Sequence, residues 1–223
     1  MALDFPQETG SIIDLKKKIE GGYLRNIEEY RNLFMVASLI LILIAAAPTL
    51  ALFIRVPEGS EKFSELWLLG PERKAENYPF NVSVGESYSI YVGVGNHLGR
   101  SAYYIVYVKF RNETQQVPNF TMSEPSPLPP LYEFSFVVSD GDVWEVPLTF
   151  AFENVLFQQN FSLVQDISIN GVVFPVNCSS AWNSDRNGFY YQMFFELWLY
   201  NMTSMRVHYH NRFVGLWLNM TGS

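Results

Sequence analysis

A single cysteine, Cys178, in 223 residues excludes an internal disulfide and a cysteine-based zinc site. Histidine is almost as scarce: His97, His208 and His210 are all there is. Cations are in deficit, with 15 Lys and Arg against 22 Asp and Glu and a net charge of -7. That balance argues against nucleic acid as a partner, because neutralising phosphates requires surplus positive charge. The chain also has no Gly-x-Ser-x-Gly, no His-Glu-x-x-His, no glycine-rich phosphate loop and no Cys/His nucleophile pair. What it has in abundance is apolar and aromatic surface, 48% and 16% of residues, which excludes a disordered chain.

The longest absence is of charge between Leu33 and Ile54. At ~1.5 Å per helical residue that run rises roughly 33 Å, enough for a bilayer core of about 30 Å. It starts too late and runs too long for a signal peptide. The expectation is one transmembrane helix, residues 33–54, with Pro48 kinking it or loosening one turn. Lys16, Lys17, Lys18, Arg25 and Arg31 precede the run, while Arg55, Lys62, Arg73 and Lys74 follow it, so the positive-inside rule leans only slightly toward a cytoplasmic N-terminus.

The sequons decide the orientation. Asn81, Asn112, Asn119, Asn160, Asn177, Asn201 and Asn219 each head an Asn-x-Ser/Thr triplet, and all lie after the run. Fourteen asparagines follow residue 55, so chance predicts about two such triplets there. The excess points to N-glycans on a C-terminal domain outside the cell. Residues 1–32 then read as a cytoplasmic arm in which Ser11 caps a first helix and Asp14 completes a capping box. Ala45, Ala46, Ala47 and Ala51 offer small side chains for close approach of another helix.

Beyond residue 55 the pattern changes to period two. Tyr88, Ile90, Val92 and Val94 alternate with Ser87, Ser89, Tyr91 and Gly93, and similar alternation marks Tyr132–Val138 and Trp144–Phe150. The stretches 101–110, 191–200, 206–210 and 213–219 read as strands with both faces partly apolar. Turn signals at Asp140-Gly141, Asn170-Gly171, Asn187-Gly188 and residues 96–100 separate them. Pro125, Pro127, Pro129 and Pro130 mark a stiff loop. The fold expected is mainly β, an Ig-like antiparallel β-sandwich over residues 76–223, joined by a connector (55–75) to the single membrane helix.

Candidate chemistry is thin. His208 and His210 share a strand face and could hold a metal with His97, Glu86 or Met205 as third ligand, but two surface histidines on a solvated strand face are the favoured reading. Asp140 and Asp142 around Gly141 read as a hairpin turn, not a calcium loop. Glu133, Glu145 and Glu196 alternate with core residues, which puts them on outer strand faces. Phe194, Trp198 and Tyr200 share a face with Glu196; with Trp217 they form either an exposed aromatic platform for a sugar or partner, or a second buried face. Cys178, inside a sequon, is expected near the surface.

One stretch resembles a known family. Tyr78, Pro79, Asn81, Ser83, Val84, Gly85 and Glu86, followed by Val92, Gly93, Asn96 and His97, are similar to the signature of the archaeal membrane-protein family catalogued as domain of unknown function 1616. Leu98 stands where an acidic residue is common in that pattern. The resemblance implies an extracytoplasmic Ig-like domain tied to membrane helices, with no assigned activity. The function expected is therefore non-catalytic: a glycosylated single-pass envelope protein acting as a structural or interaction subunit, with membrane lipid and a protein as partners and no cofactor. The alternatives are a carbohydrate- or small-ligand-binding module on the aromatic face, and a metal-handling subunit on the three histidines.

Overall fold

The computed structural model describes residues 14–17, 30–46 and 61–221. The chain forms two compact units, Met1–Ser60 and Glu61–Ser223. In the first, α1 (14–17) is a solvent-exposed turn of helix that contains Asp14; its expected cap, Ser11, lies outside the described residues. The helix α2 (30–46) is apolar on every side, and Leu33, Phe34, Leu39, Leu41 and Ile44 are all exposed. At ~1.5 Å per residue it rises roughly 25 Å. No helix among the described residues is long and apolar enough to cross a membrane. The rest of the expected span, with Pro48 and Ala51, lies outside the described residues.

The second unit is mainly β: β1 (Phe63–Leu69), β2 (Asn81–Val82), β3 (Ser87–His97), β4 (Ala102–Asn112), β5 (Tyr132–Val138), β6 (Val143–Gln158), β7 (Phe161–Ile169), β8 (Val172–Asn183), β9 (Gly188–Asn201) and β10 (Arg206–Met220). Alternation in the sequence and alternation in burial agree: Ile90, Val92 and Val94 point inward on β3, as do Leu148 and Phe150 on β6. The Asn170-Gly171 turn has φ of 49° and 79°, the pair of positive values that a two-residue hairpin of matching twist requires. Asp140 and Gly141 form the β5–β6 turn. Strand β1 lies within residues 55–75, the stretch expected to be a connector. The two stretches expected at 206–210 and 213–219 are one strand, bulged between Tyr209 and Arg212, with Asn211 at φ 51°.

All ten strands belong to one curled sheet ordered β1-β3-β6-β7-β8-β9-β10-β2, with β4 and β5 added on the other side of β9. Every ladder is antiparallel except the short one between β10 and β2. Strand β8 pairs with β7 for most of its length and reaches β9 only through Trp182 and Asn183. Side chains from both halves meet in one core: Val92, Leu148, Phe152 and Ile167 from one, Tyr104, Val106, Met193 and Leu197 from the other.

The middle of the outer face of β4 and β9 is closed to water, with Ile105, Lys109, Phe194 and Glu196 all buried. The proline-rich segment after Asn112 crosses it as a strap, so β9 is buried on both faces and Phe194 with it. Glu196, expected on an outer face, is on that face and yet 0% exposed. Its Oε2 accepts from Lys109 Nζ at 2.9 Å and from Trp198 Nε1 at 3.1 Å. Its Oε1 accepts from the Ser126 backbone N–H at 2.8 Å, and Lys109 Nζ donates back to the Ser126 carbonyl at 2.8 Å. Both backbone groups of Ser126 are thus held by a buried ion pair, between two prolines that stiffen the chain on either side. Removing one partner leaves a buried charge alone. Lys109→Met should cost about 3–5 kcal/mol in urea unfolding. Adding Glu196→Gln, which keeps an acceptor for Ser126, should recover more than half of that loss; no recovery would mean that the ion pair does not hold the strap.

Candidate functional site

Strand β1, at one end of the order, and β10, next to the other end, lie side by side without pairing. Between them is a cleft of about 480 Å³ lined by Leu66, Trp67, Tyr78, Phe80, Gly215 and Trp217, with Leu68, Pro79, Val214 and Leu216 completing the wall. Parity of the ladders shows which backbone groups face it. Asn96, opposite Ser64, spends its own backbone on Asp142 and Gly141, away from β1. Ser64 and Leu68 therefore turn their carbonyls outward, where Arg212 Nε reaches Ser64 O at 3.4 Å and Tyr78 OH donates to Leu68 O at 2.7 Å. Leu66, between them, turns its N–H and C=O into the cleft.

On β10, the Asn219 N–H donates to Phe80 O at 2.6 Å and the Thr221 N–H to Val82 O at 3.0 Å. With period two, Phe213, Gly215 and Trp217 face the same way. None of these outward groups, nor those of Leu66, has a backbone partner among the described residues.

The residues that resemble the family signature build this cleft. Tyr78 and Pro79 line it. Gly93 lies opposite Trp67 in the β1–β3 ladder, and a Cβ there would run into the indole ring, so the missing side chain seats a cleft tryptophan. Gly85 turns at φ 79° and its N–H donates to Phe152 O. Tyr88 OH ties Ser83 N to Glu86 Oε2. Gly93→Ala should therefore displace Trp67, destabilise the domain by about 1–3 kcal/mol and change tryptophan emission; unchanged emission and stability would show that Trp67 does not depend on that glycine.

At the far end of the cleft a buried hydrogen-bond chain joins the two edges. Asn96 Nδ2 donates to the carbonyls of Arg100 and Val138, at 2.8 and 2.9 Å, which fixes the amide so that Oδ1 faces Tyr104. Tyr104 OH donates to Oδ1 at 3.0 Å, so Ser64 Oγ, 2.6 Å from that hydroxyl, has to donate to it. Its proton spent, Ser64 can only accept from His210 Nε2 at 3.1 Å. The direction excludes a Ser–His nucleophile pair, in which the serine proton points at the histidine. Ser64 is also 1% exposed. The chain is a lock across the β1–β10 boundary.

Burial, and secondarily the Arg212 charge, push the His210 pKa down. The folded state therefore prefers the neutral ring, and acid favours the unfolded chain, which takes up the proton first. Stability from this group is fully present above the ordinary imidazole pKa and is lost as pH falls through that value toward the lower folded one. His210→Gln, which can still donate to Ser64, should flatten the fall in thermal midpoint between about pH 7 and 5; an unaltered acid limb would assign the fall to other groups.

The other expected residues fall as follows. His97 stacks on Phe63 and lies 3.7 Å from Glu65, whereas His208 bonds to Ser204 Oγ at 2.6 Å. The three histidines thus find separate partners, and no cluster of metal-ligating side chains occurs among the described residues. Of the aromatic face, Phe194 is fully buried, Trp198 packs on Tyr107 and Tyr209, and Tyr200 meets Tyr103. Only Trp217 reaches the cleft, with the Arg111 guanidinium 5.0 Å from its ring centroid. Cys178 is buried rather than superficial, and burial pushes its thiol up to about 11. Asn81, Asn160, Asn177 and Asn201 are exposed and Asn112 and Asn119 half-buried. Asn219 is buried, with its Nδ2 donating to Asn81 Oδ1. Ser64, Leu66 and Trp67 carry no sequence signal of a site, because seven residues of alternation beside a turn do not distinguish β1 from a connector.

Comparison with known proteins finds a family match over part of the chain and little else. Residues 57–164 match the family described as Domain of unknown function (DUF1616). No curated protein matches the chain. Similar solved structures include the β-glucosidase from Listeria innocua in complex with glucose, at 10% identity and TM-score 0.37 over 73% of this chain and 16% of that one. Another is the PapD-like domain 7 of human CEP192, at 11% identity and TM-score 0.27 over 72% and 84%. The chain spans about a sixth of the length of the glucosidase, and neither likeness carries an argument about function.

Proposed function

From residues 57–164 being a stretch of the DUF1616 family, whose description names no activity, we infer that this protein works by association: a single-pass membrane protein whose β-domain lies outside the cytoplasm and presents its surface to a protein partner. The observation that carries the reading is α2, whose apolar side chains are exposed on all sides. A helix of that kind is satisfied by lipid or by other helices, not by water, and the uncharged sequence runs on to Ile54. The shared core of the two sheet halves supports an Ig-like sandwich for the domain.

The interior of the domain supports association rather than catalysis. Its buried ionisable groups Lys109, Glu196 and Arg111, and the half-buried His210 on Ser64, are spent on holding the fold. The sequons suit an outward domain, and Asn81 shows how one is presented: its Oδ1 accepts from Asn219 while its residue stays exposed. Asn219, enclosed against Gly188, has no room for a sugar. A small apolar ligand in the cleft is the second reading, favoured by Trp67 and Trp217 on its walls. A sugar platform on β9 loses its support with the burial of Phe194.

Alkaline carbonate should leave the full chain in the membrane fraction, and protease added to intact cells should remove the β-domain and spare the N-terminal arm. Release by carbonate, or protection of the β-domain, overturns the topology. Glycopeptide mapping of native protein should find sugar at Asn81, Asn160, Asn177 or Asn201 and none at Asn219; an unmodified set would remove the glycoprotein part of the reading.

A further inference from the structure

We propose that the cleft between β1 and β10 is a strand-docking slot: an extended, uncharged segment of a partner protein enters it and pairs with the open β10 edge from Phe213 to Trp217. The argument rests on backbone chemistry. Leu66 on one side and Phe213, Gly215 and Trp217 on the other turn their N–H and C=O groups into the cleft without a backbone partner. Side chains of a small ligand could fill the volume, but only a peptide backbone supplies donors and acceptors at the strand repeat.

The structure already shows a strand in the continuation of the same slot. Asn219 and Met220 pair in parallel with β2, and the segment leading into β2 touches both edges, through Tyr78 OH to Leu68 O and through Phe80 O to the Asn219 N–H. One extended segment thus bridges β10 and β1 where the slot is filled. Pairing stops after Phe80, and Arg212 and His210 close the other end on Ser64. The unpaired stretch between these stops is five residues of β10, roughly 17 Å at the strand rise.

The slot also selects. One set of alternate side chains of the incoming segment meets Leu66 and Leu216 on the core side, and the other set meets Trp67 and Trp217 on the opposite side, so both sets face apolar walls. No carboxylate or cation lines the cleft, so a charged side chain there would be desolvated without a partner. The partner chemistry is then an extended, uncharged and largely apolar segment of about five residues, and recognition is by strand addition rather than by an aromatic platform. This deepens the reading of an association domain but does not depend on the membrane anchor.

The test uses the full chain in mild detergent. A phage-displayed library of random peptides of about twelve residues is panned against it, and the enriched sequence is synthesised. The expected peptide carries an uncharged, largely apolar stretch of about five residues and slows amide exchange at 64–68 and 213–217. Its affinity should fall at least about tenfold more in Leu66→Pro than in Leu66→Ala. Proline there removes an outward N–H and leaves the β3 ladder intact; alanine controls for the lost side chain. Methylating alternate peptide nitrogens should abolish binding. Failure to enrich any peptide, or protection elsewhere on the domain, overturns the slot. So does seam protection that rises with protein concentration without peptide, which assigns the edge to a second copy. Carbonate extraction is independent of all these outcomes, so failure of the slot and failure of the anchor are read separately.

Discussion

A curled sheet whose first and last strands do not pair has to be closed by something other than a ladder, and that constraint organises this domain. At one end the closure is a side-chain chain, His210 to Ser64 to Tyr104 to Asn96, each proton direction dictated by the two carbonyls that hold the Asn96 amide. At the other it is the segment through Tyr78 and Phe80, which bonds to both edges. Both closures are made by polar groups that find partners on the opposite edge: Ser64 on His210 at one end, Leu68 O and the Asn219 N–H at the other. The middle has neither, and there the cleft remains.

The same economy governs the outer face. Beta-domains of this size commonly leave one sheet face wet. Here the strap covers it, and covering a face that carries Lys109 and Glu196 is tolerable only because the two ions neutralise one another and split the backbone of Ser126 between them. Arg111 does the same for the start of the strap, where its guanidinium donates to the carbonyls of Asn112 and Gln115 while lying over Trp217. The strap is therefore fastened by charge, and its rings, such as Phe120 on Phe213, add packing.

These features mark where the sequence was legible. Alternation in β5 and β6, and in the first half of β3, named the inward residues because one face there is drier than the other, and that asymmetry is local. Glu196 shows the limit. Its alternation assigned the correct face, but solvent exposure of that face depends on Ser126, 70 positions away in sequence. Cys178 was misplaced for the same reason: a sequon triplet fixes the exposure of its asparagine, and the next side chain of a strand points the other way, into the core. Strand β1 was hidden because Ser64, Leu66 and Leu68 alternate for only seven residues beside a turn. The glycines of the family-like motif were visible, but their reason was not: Gly93 is small because Trp67 lies over it, and that tryptophan belongs to the unread strand.

An open strand edge is ordinarily a hazard, which proteins blunt with charge, proline or brevity. Strand β2 is blunted by its two residues, and β1 is partly satisfied by Tyr78 and Arg212. The β10 edge has no such device between Arg212 and Asn219: its residues there are Phe213, Val214, Gly215, Leu216, Trp217 and Leu218, with no charge and no proline. What protects it is position. Beta1 stands beside it, so the edge lies in a cleft rather than on the rim, and a whole sheet cannot approach it. A single extended segment can. An edge kept uncharged along five residues and shielded against sheets but not against single strands meets the physical requirements of a docking site, and the sheltering strand supplies the apolar wall that gives the site its selectivity.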